Sequence, residues 1–434
     1  MDSFVYPPEV LALNETTPLG SSLLPYFQIE PGFTHVNHGS YGGAPRVVAQ
    51  ALRHYQDRME RCPDGWFRYE SEQQVDRVID DLREFVRVSD GTTAGRGVGD
   101  LVLVRNVTFA INSIFRSWPW RQGDKLLFLS EAYDMVKLAA KFLHDSLGVE
   151  VVEVPIKFPI AENAIIDLVT QALTTHGSAV KLAVFSHITS VPAVILPVLR
   201  LIDLCRSRNV ACVIDGAHAF GQLDLDMTAL DPDFYIANGH KWLMTAKGAA
   251  FLYAKKKWRS TLHSAIITFG YGESDARKEF LWEGTADYSA WFTISTSIKF
   301  RSLLGEKRIR DYCRKLASDA GKLMAQIWGT EVLISDENQL GSMNNIRLPL
   351  GEPKPADPAK FVRLVIKELY SRYKTFLANF SQDGVWYARI SAQVYNDIHD
   401  YRMVANAFLK VRDRVKAEMG MEEQNISDYC VVEK

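Results

Sequence analysis

The chain has 434 residues, a formal charge of −2 from 50 basic and 52 acidic side chains, and a composition that is 47% hydrophobic and 24% charged. That is enough material for two or three domains with self-sufficient cores, which excludes disulfide- or metal-stapled mini-proteins and intrinsic disorder. The balanced charge supplies no general attraction to phosphate backbones or anionic lipid, so no nucleic-acid partner and no membrane-surface role is expected.

Residues 1–30 carry Pro7, Pro8, Pro18, Gly20 and Pro25 without sustained periodicity and read as an N-terminal arm. Amphipathic periodicity predicts helices over 47–60 and 72–87, followed by a Gly/Thr/Ser-rich loop at 89–99. Short apolar runs at 101–104, 125–129, 150–154, 181–185, 210–214, 234–237 and 249–253 then alternate with helical stretches at 109–118, 135–146, 165–173 and 196–208. Strands that are apolar on both faces need covering on both sides, so this alternation predicts an α/β fold with a seven-stranded, mostly parallel sheet. Residues 258–290 are loop-rich and aromatic, and one long helix is expected over 295–328. Strand-like segments at 345–350, 375–380 and 386–390, with a helix at 399–415, predict a smaller α+β unit. The expected domains are the arm (1–30), a large α/β domain (31–295) and a small C-terminal domain (296–434), against which the arm is free to pack.

No window approaches 18 uninterrupted apolar residues and the first residues show no secretory pattern, so the chain reads as cytoplasmic. Five scattered cysteines, Cys62, Cys205, Cys212, Cys313 and Cys430, form no Cys-x-x-Cys pair, so neither a disulfide framework nor a metal site is expected. Gly95, Gly97 and Gly99 precede a strand, which is the wrong context for a dinucleotide-binding fingerprint.

The chemistry concentrates in two segments. Residues 213–221 read VIDGAHAFG and residues 234–242 read FYIANGHKW. Asp215 stands at the end of one buried strand and Lys241 just past the next, and in an open α/β sheet the carboxyl ends of neighbouring strands face one crevice. Taken singly, Asp215 reads as a helix cap and Lys241 as a solvated loop lysine. Together, with His218 and His240 beside them, they are the set that pyridoxal phosphate chemistry needs: an amine for a Schiff base and a carboxylate to keep the pyridine nitrogen protonated. Over roughly residues 32–412 the sequence resembles the class V aminotransferase family of fold type I pyridoxal phosphate enzymes. Residues 36–42 (VNHGSYG), 282–290 (WEGTADYSA) and 388–396 (ARISAQVYN) are similar to its isopenicillin N epimerase-like branch, which includes hercynylcysteine sulfoxide lyases and a ring-forming enzyme of the loline alkaloid pathway.

The resemblance implies pyridoxal 5′-phosphate as cofactor, with Lys241, Asp215 and Tyr133 in catalytic roles and Tyr133 stacked on the cofactor ring. Val107 and Thr108, at a helix N-terminus behind Asn106, would hold the phosphate together with His240, and His218 would meet the phenolic oxygen. Thr285 would reach the phosphate of the neighbouring subunit in a homodimer. Arg389 would fork onto the substrate carboxylate, with Asn37 as second partner and Arg68 as a further anion anchor. Plainer alternatives stand beside these: Asn106 as a simple N-cap, Gly284 and Thr285 as a turn, Tyr133 as core, and residues 66–69 as packing.

The implied reaction draws an α-carbanion or quinonoid from an amino-acid substrate. The stretch after Tyr133 holds no cysteine, where sulfoxide lyases are expected to use a thiol, and residues 245–248 (TAKG) depart from the usual Pro-Lys-Gly or Pro-Arg-Gly. The leading expectation is therefore a non-transaminating, carbon–carbon bond-forming or ring-forming enzyme of specialised metabolism. Amino-acid epimerase, C–S lyase and aminotransferase are the enzyme alternatives, and a cofactor-binding scaffold without turnover is the non-enzyme one.

Overall fold

The structure is a computed structural model that describes residues 4–88, 101–273, 275–351 and 355–420. The loop at 89–99, with Gly95, Gly97 and Gly99, and Cys430 lie outside the described residues. All seven apolar runs form strands: β1 (Leu101–Val104), β2 (Lys125–Leu129), β3 (Glu150–Val154), β4 (Val180–Ser186), β5 (Ala211–Asp215), β6 (Phe234–Asn238) and β7 (Ala250–Ala254). They form one sheet in the order β1-β7-β6-β5-β4-β2-β3. β7 runs against both its neighbours, and every other pairing is parallel.

The side-chain period of two explains why the runs are continuously apolar. Leu127, Ala183, Phe185, Cys212 and Ile214 enter the core on one face, and Leu126, Phe128, Leu182, Val184 and Val213 enter the core on the other. Helices Ser71–Phe85, Glu162–His176 and Val198–Ser207 seal the first face, and helices Val107–Ser117 and Asp134–Leu147 the second.

A second sheet contains β8 (Met343–Arg347), β9 (Ala378–Gln382) and β10 (Val385–Ser391), all antiparallel, with β10 central. β9 and β10 are joined by Asp383 and Gly384, both at positive φ, as a two-residue hairpin turn requires. Helix Pro358–Tyr373 packs beside helix Ile398–Glu418 and has no counterpart in the sequence-based reading. Val10, Leu13, Leu23 and Phe27 of the first thirty residues are buried in the same core as Val404 and Phe408.

One expectation fails. The single long helix over 295–328 is two helices, Ser289–Leu304 and Glu306–Trp328, broken at Gly305 with φ +85°. Buried apolar residues stand on both sides of the break, Phe300 and Leu304 before it and Ile309 and Cys313 after it, and the glycine marks it. The break turns Glu306 back onto Arg301, a fully buried residue whose Nε and Nη2 donate to the Glu306 carboxylate at 2.7 and 2.6 Å. The remaining donors bind the carbonyls of Trp242 and Gly221 at 2.7 and 2.9 Å. The backbone just after Lys241 is thus clamped from below by a buried ion pair. Arg301→Met should cost about 3 kcal/mol in urea unfolding, because it orphans two buried carbonyls and leaves the Glu306 carboxylate only Arg310, at 3.7 Å. A loss under about 1 kcal/mol would show that the clamp is not structural.

Candidate active site

Ser186, Asp215 and Asn238 are the last residues of β4, β5 and β6, and all three line one cavity of about 230 Å³. This is the position beyond the carboxyl ends of parallel strands where α/β sheets bind ligands. Lys241, His218, His240, Val107, Thr108 and Tyr133 line the same cavity, so most of the expected cofactor set converges there.

The hydrogen bonds around Lys241 fix protonation states. The Trp242 indole N–H, which can only donate, points at His218 Nδ1 across 3.3 Å. That nitrogen must then be the acceptor, and the proton of a neutral ring sits on Nε2, 2.9 Å from Lys241 Nζ. An N–H facing the lysine requires a lone pair on Nζ, so the amine is neutral. The surroundings agree: burial, then the nearby Arg389 charge, pull the Lys241 amine down to about 7, against the opposing pull of Asp215. Burial first, and then the Arg389 charge, hold the His218 ring well below its ordinary value.

Asp215 is buried, and one carboxylate oxygen accepts the Ala217 N–H at 2.9 Å. Burial raises its pKa, and a cation placed in the cavity would restore the charged form. Asn106 caps helix Val107–Ser117 by accepting the Phe109 N–H at 2.9 Å, so the plain N-cap alternative is realised. The Val107 N–H is also engaged, by Asn238 Oδ1 at 3.1 Å, which leaves Thr108 as the cavity-lining residue of this turn best placed to meet an anion. His240 Nδ1 is buried and finds no hydrogen-bond partner among the described residues. Tyr133 stands half-exposed at the mouth rather than in the core.

Arg389 is 2% exposed on central strand β10 and makes no salt bridge to a carboxylate among the described residues. Its Nη1 donates to the Ser190 carbonyl at 2.9 Å, its Nη2 to Asn37 Oδ1 at 3.0 Å and Ser40 Oγ at 2.8 Å, and its Nε has no partner. Burial alone lowers it to about 10. A buried guanidinium with neutral partners is prepared for an anion from outside. Asn37 is therefore placed with Arg389 as expected, whereas Ser40, Ser190 and Asn238 went unnoticed in the sequence.

Two expected residues lie elsewhere. Arg68 is exposed and pairs with Asp64 one helical turn away, so it is no anion anchor of this cavity; its neighbour Trp66 packs on Tyr55 and Phe292 with ring centroids 6.3 and 5.5 Å away, the plain packing alternative. Thr285 is exposed and does not line the cavity of its own chain.

Residues 44–363 match the class-V aminotransferase family. The chain belongs to that family. The L-cysteine desulfhydrase-like protein lolT2 of Epichloe uncinata is 27% identical, covering 94% of this chain and 97% of its own. A putative L-cysteine desulfhydrase of Oryza sativa subsp. japonica is 31% identical over 88% of this chain and 84% of its own. Isopenicillin N epimerase of Streptomyces clavuligerus is 27% identical over 87% and 95%. Among solved structures, the cystine C–S lyase C-DES in complex with its product cysteine persulfide superposes with a TM-score of 0.72 at 18% identity, covering 88% of this chain and 98% of that one. This is a pyridoxal 5′-phosphate enzyme of the class-V family with the fold type I architecture. The residues present fit that cofactor: a neutral amine, a buried carboxylate, a helix N-terminus and an unpartnered histidine nitrogen share one cavity. No helix among the described residues is long and apolar enough to cross a membrane.

Arg389→Ala should weaken binding of a simple carboxylate such as propionate by roughly one to two decades, the worth of a charge-assisted hydrogen bond. Equal affinity by calorimetry would mean that the guanidinium is spent within the protein.

Proposed function

We propose that the chain holds an α-amino acid by its carboxylate at Arg389 and Asn37, moves its α-proton with Lys241, and ends the reaction by expelling a β substituent. The observation that carries this reading is a neutral lysine amine in the same buried region as a guanidinium with no carboxylate of its own. When bound, the cofactor withdraws electrons from the substrate's α-carbon and so makes its proton removable. The protein's own groups do the rest. Asp215 keeps the pyridine nitrogen protonated, and Thr108 and His240 hold the phosphate at the N-terminus of helix Val107–Ser117. Val107 contributes by shaping that turn, since its N–H is engaged by Asn238. His218 Nε2–H serves the phenolic oxygen, and Tyr133 is the aromatic residue available to stack on the ring. In a homodimer, the exposed Thr285 serves the phosphate of the second copy.

The names of the rice and Epichloe relatives favour elimination from a cysteine-like substrate. No cysteine lines the cavity among the described residues, and Cys205, Cys212 and Cys313 are buried elsewhere. A sulfur leaving group would therefore depart into solvent rather than onto a protein thiol. Carbon–carbon or ring formation is the second reading, supported by the exposed Tyr41 and Tyr133, which give the mouth an apolar platform for a carbon electrophile.

Protein loaded with pyridoxal 5′-phosphate and reduced with borohydride should carry the cofactor on Lys241 and on no other lysine by peptide mass spectrometry. Given L-cysteine in D2O, the wild type should release sulfide, pyruvate and ammonium, and Lys241→Ala should not. Deuterium at the α-carbon without sulfide release would move the reaction to the second reading, and label on another lysine would end the assignment.

A further inference from the structure

The segment 36–42 does more than supply Asn37. His38 is fully buried and reaches the backbone of Lys241, where His218 meets its amine: its Nε2 lies 2.9 Å from the Lys241 carbonyl oxygen. A carbonyl only accepts, so the proton is on Nε2 and the ring's Nδ1 accepts from the Tyr395 hydroxyl at 2.9 Å. The Gln393 amide nitrogen also lies 3.0 Å from Nε2, but it is itself a donor and takes no part in the bond that Nε2 makes to the carbonyl. Trp242 closes over the ring at a centroid distance of 5.4 Å, and His35 lies 6.0 Å away. Burial and the charges of His35, Lys247 and Arg301 disfavour a second proton on His38.

The loop itself cannot retreat. A Cβ on Gly42, at φ +69°, would sit 1.7 Å from the His240 carbonyl oxygen, so the backbone of the loop lies directly on the His240–Lys241 peptide. Gly39 N–H is pinned to Ser391 Oγ at 3.0 Å, two residues along β10 from Arg389. On its other side the same loop gives Asn37 and Ser40 to Arg389. One short loop therefore touches both the residue proposed to take the substrate carboxylate and the backbone of the residue proposed to take the cofactor.

We propose that His38 is a positioning residue: by donating to the Lys241 carbonyl it fixes the lysine backbone and with it the place of Nζ beside His218 in the cavity. This rests on the reading of Lys241 as the cofactor lysine. His38 touches neither cofactor nor substrate; it acts through the peptide bond of Lys241, while His218 orients the amine at the far end of the side chain.

The test uses apoprotein and two probes that share a binding cradle. Pyridoxal 5′-phosphate can condense with an amine, losing one water as the Nζ lone pair adds to the aldehyde carbon; pyridoxamine 5′-phosphate has no aldehyde and can only bind. In His38→Phe, which keeps a ring and removes the N–H, covalent capture by Lys241 should slow by about 10-fold or more, the equivalent of one lost hydrogen bond in a buried setting. Pyridoxamine 5′-phosphate affinity should stay within about twofold, because its contacts do not pass through Lys241. His38→Gln, which restores an N–H donor, should recover most of the capture rate. Capture by His38→Phe at the wild-type rate would overturn the proposal. So would an equal loss of pyridoxamine 5′-phosphate affinity, or a His38→Gln variant as slow as His38→Phe, since either marks mere packing. Should His38→Phe fail to fold, Tyr395→Phe removes the hydroxyl that holds the ring at Nδ1 and should slow capture in the same direction; an unchanged rate there would also overturn it. If borohydride labels a lysine other than Lys241 in the wild type, the underlying assignment of the cofactor lysine falls instead, and the two failures are told apart by that peptide map.

Discussion

The direction of one hydrogen-bond chain governs the site. Because an indole nitrogen has a proton and no lone pair, Trp242 dictates that His218 accept at Nδ1 and donate at Nε2, and Lys241 receives that proton as a neutral amine. Burial alone would also favour the neutral form, but burial does not orient a lone pair. The histidine does, and the tryptophan is the next residue after the lysine it serves, so the orienting group travels with the group oriented.

The rest of the architecture holds this chain in place. Parallel strands end together at Ser186, Asp215 and Asn238, which makes the cavity floor a property of the sheet. The turn carrying Lys241 is then gripped by backbone contacts. Gly221, at φ +87°, lies so close that a Cβ there would stand 2.6 Å from the Leu243 nitrogen, and Arg301 binds the carbonyls of both Gly221 and Trp242. On the other side Gly42 lies against the His240 carbonyl. The glycines of these segments are sites of contact between backbones, where any side chain would force the loops apart.

Much of this was legible in the sequence. The seven strands followed from continuous apolar runs, since a strand buried on both faces needs no alternation, and Asp215 and Lys241 followed from their places at strand ends. What escaped the reading has physical reasons. Gly305 separates two helices that are both rich in buried residues, and the first of them is buried on most sides, so it has no apolar stripe whose end would show the break. Ser40 and Ser190 are common residue types whose roles come only from their distance to Arg389, 349 and 199 residues along the chain. Arg68 looked like an anion site because it sits among aromatic residues, yet the Trp66 beside it faces the core and the arginine therefore faces solvent. His38 lies within the 36–42 segment, but which of its neighbours it serves depends on a fold that brings residues 38, 241 and 395 together.

The most direct test is the titration of the Lys241 amine in the apoprotein, followed by nitrogen-15 resonance of labelled lysine with Lys241→Arg to assign the signal. A midpoint near 7, moving upward in Trp242→Phe as His218 becomes free to turn an acceptor toward the amine, is the result predicted here. A midpoint near the ordinary 10.5, unmoved by that substitution, would mean that the lysine is an ammonium in the folded chain and that the indole–imidazole–amine chain does not set its state.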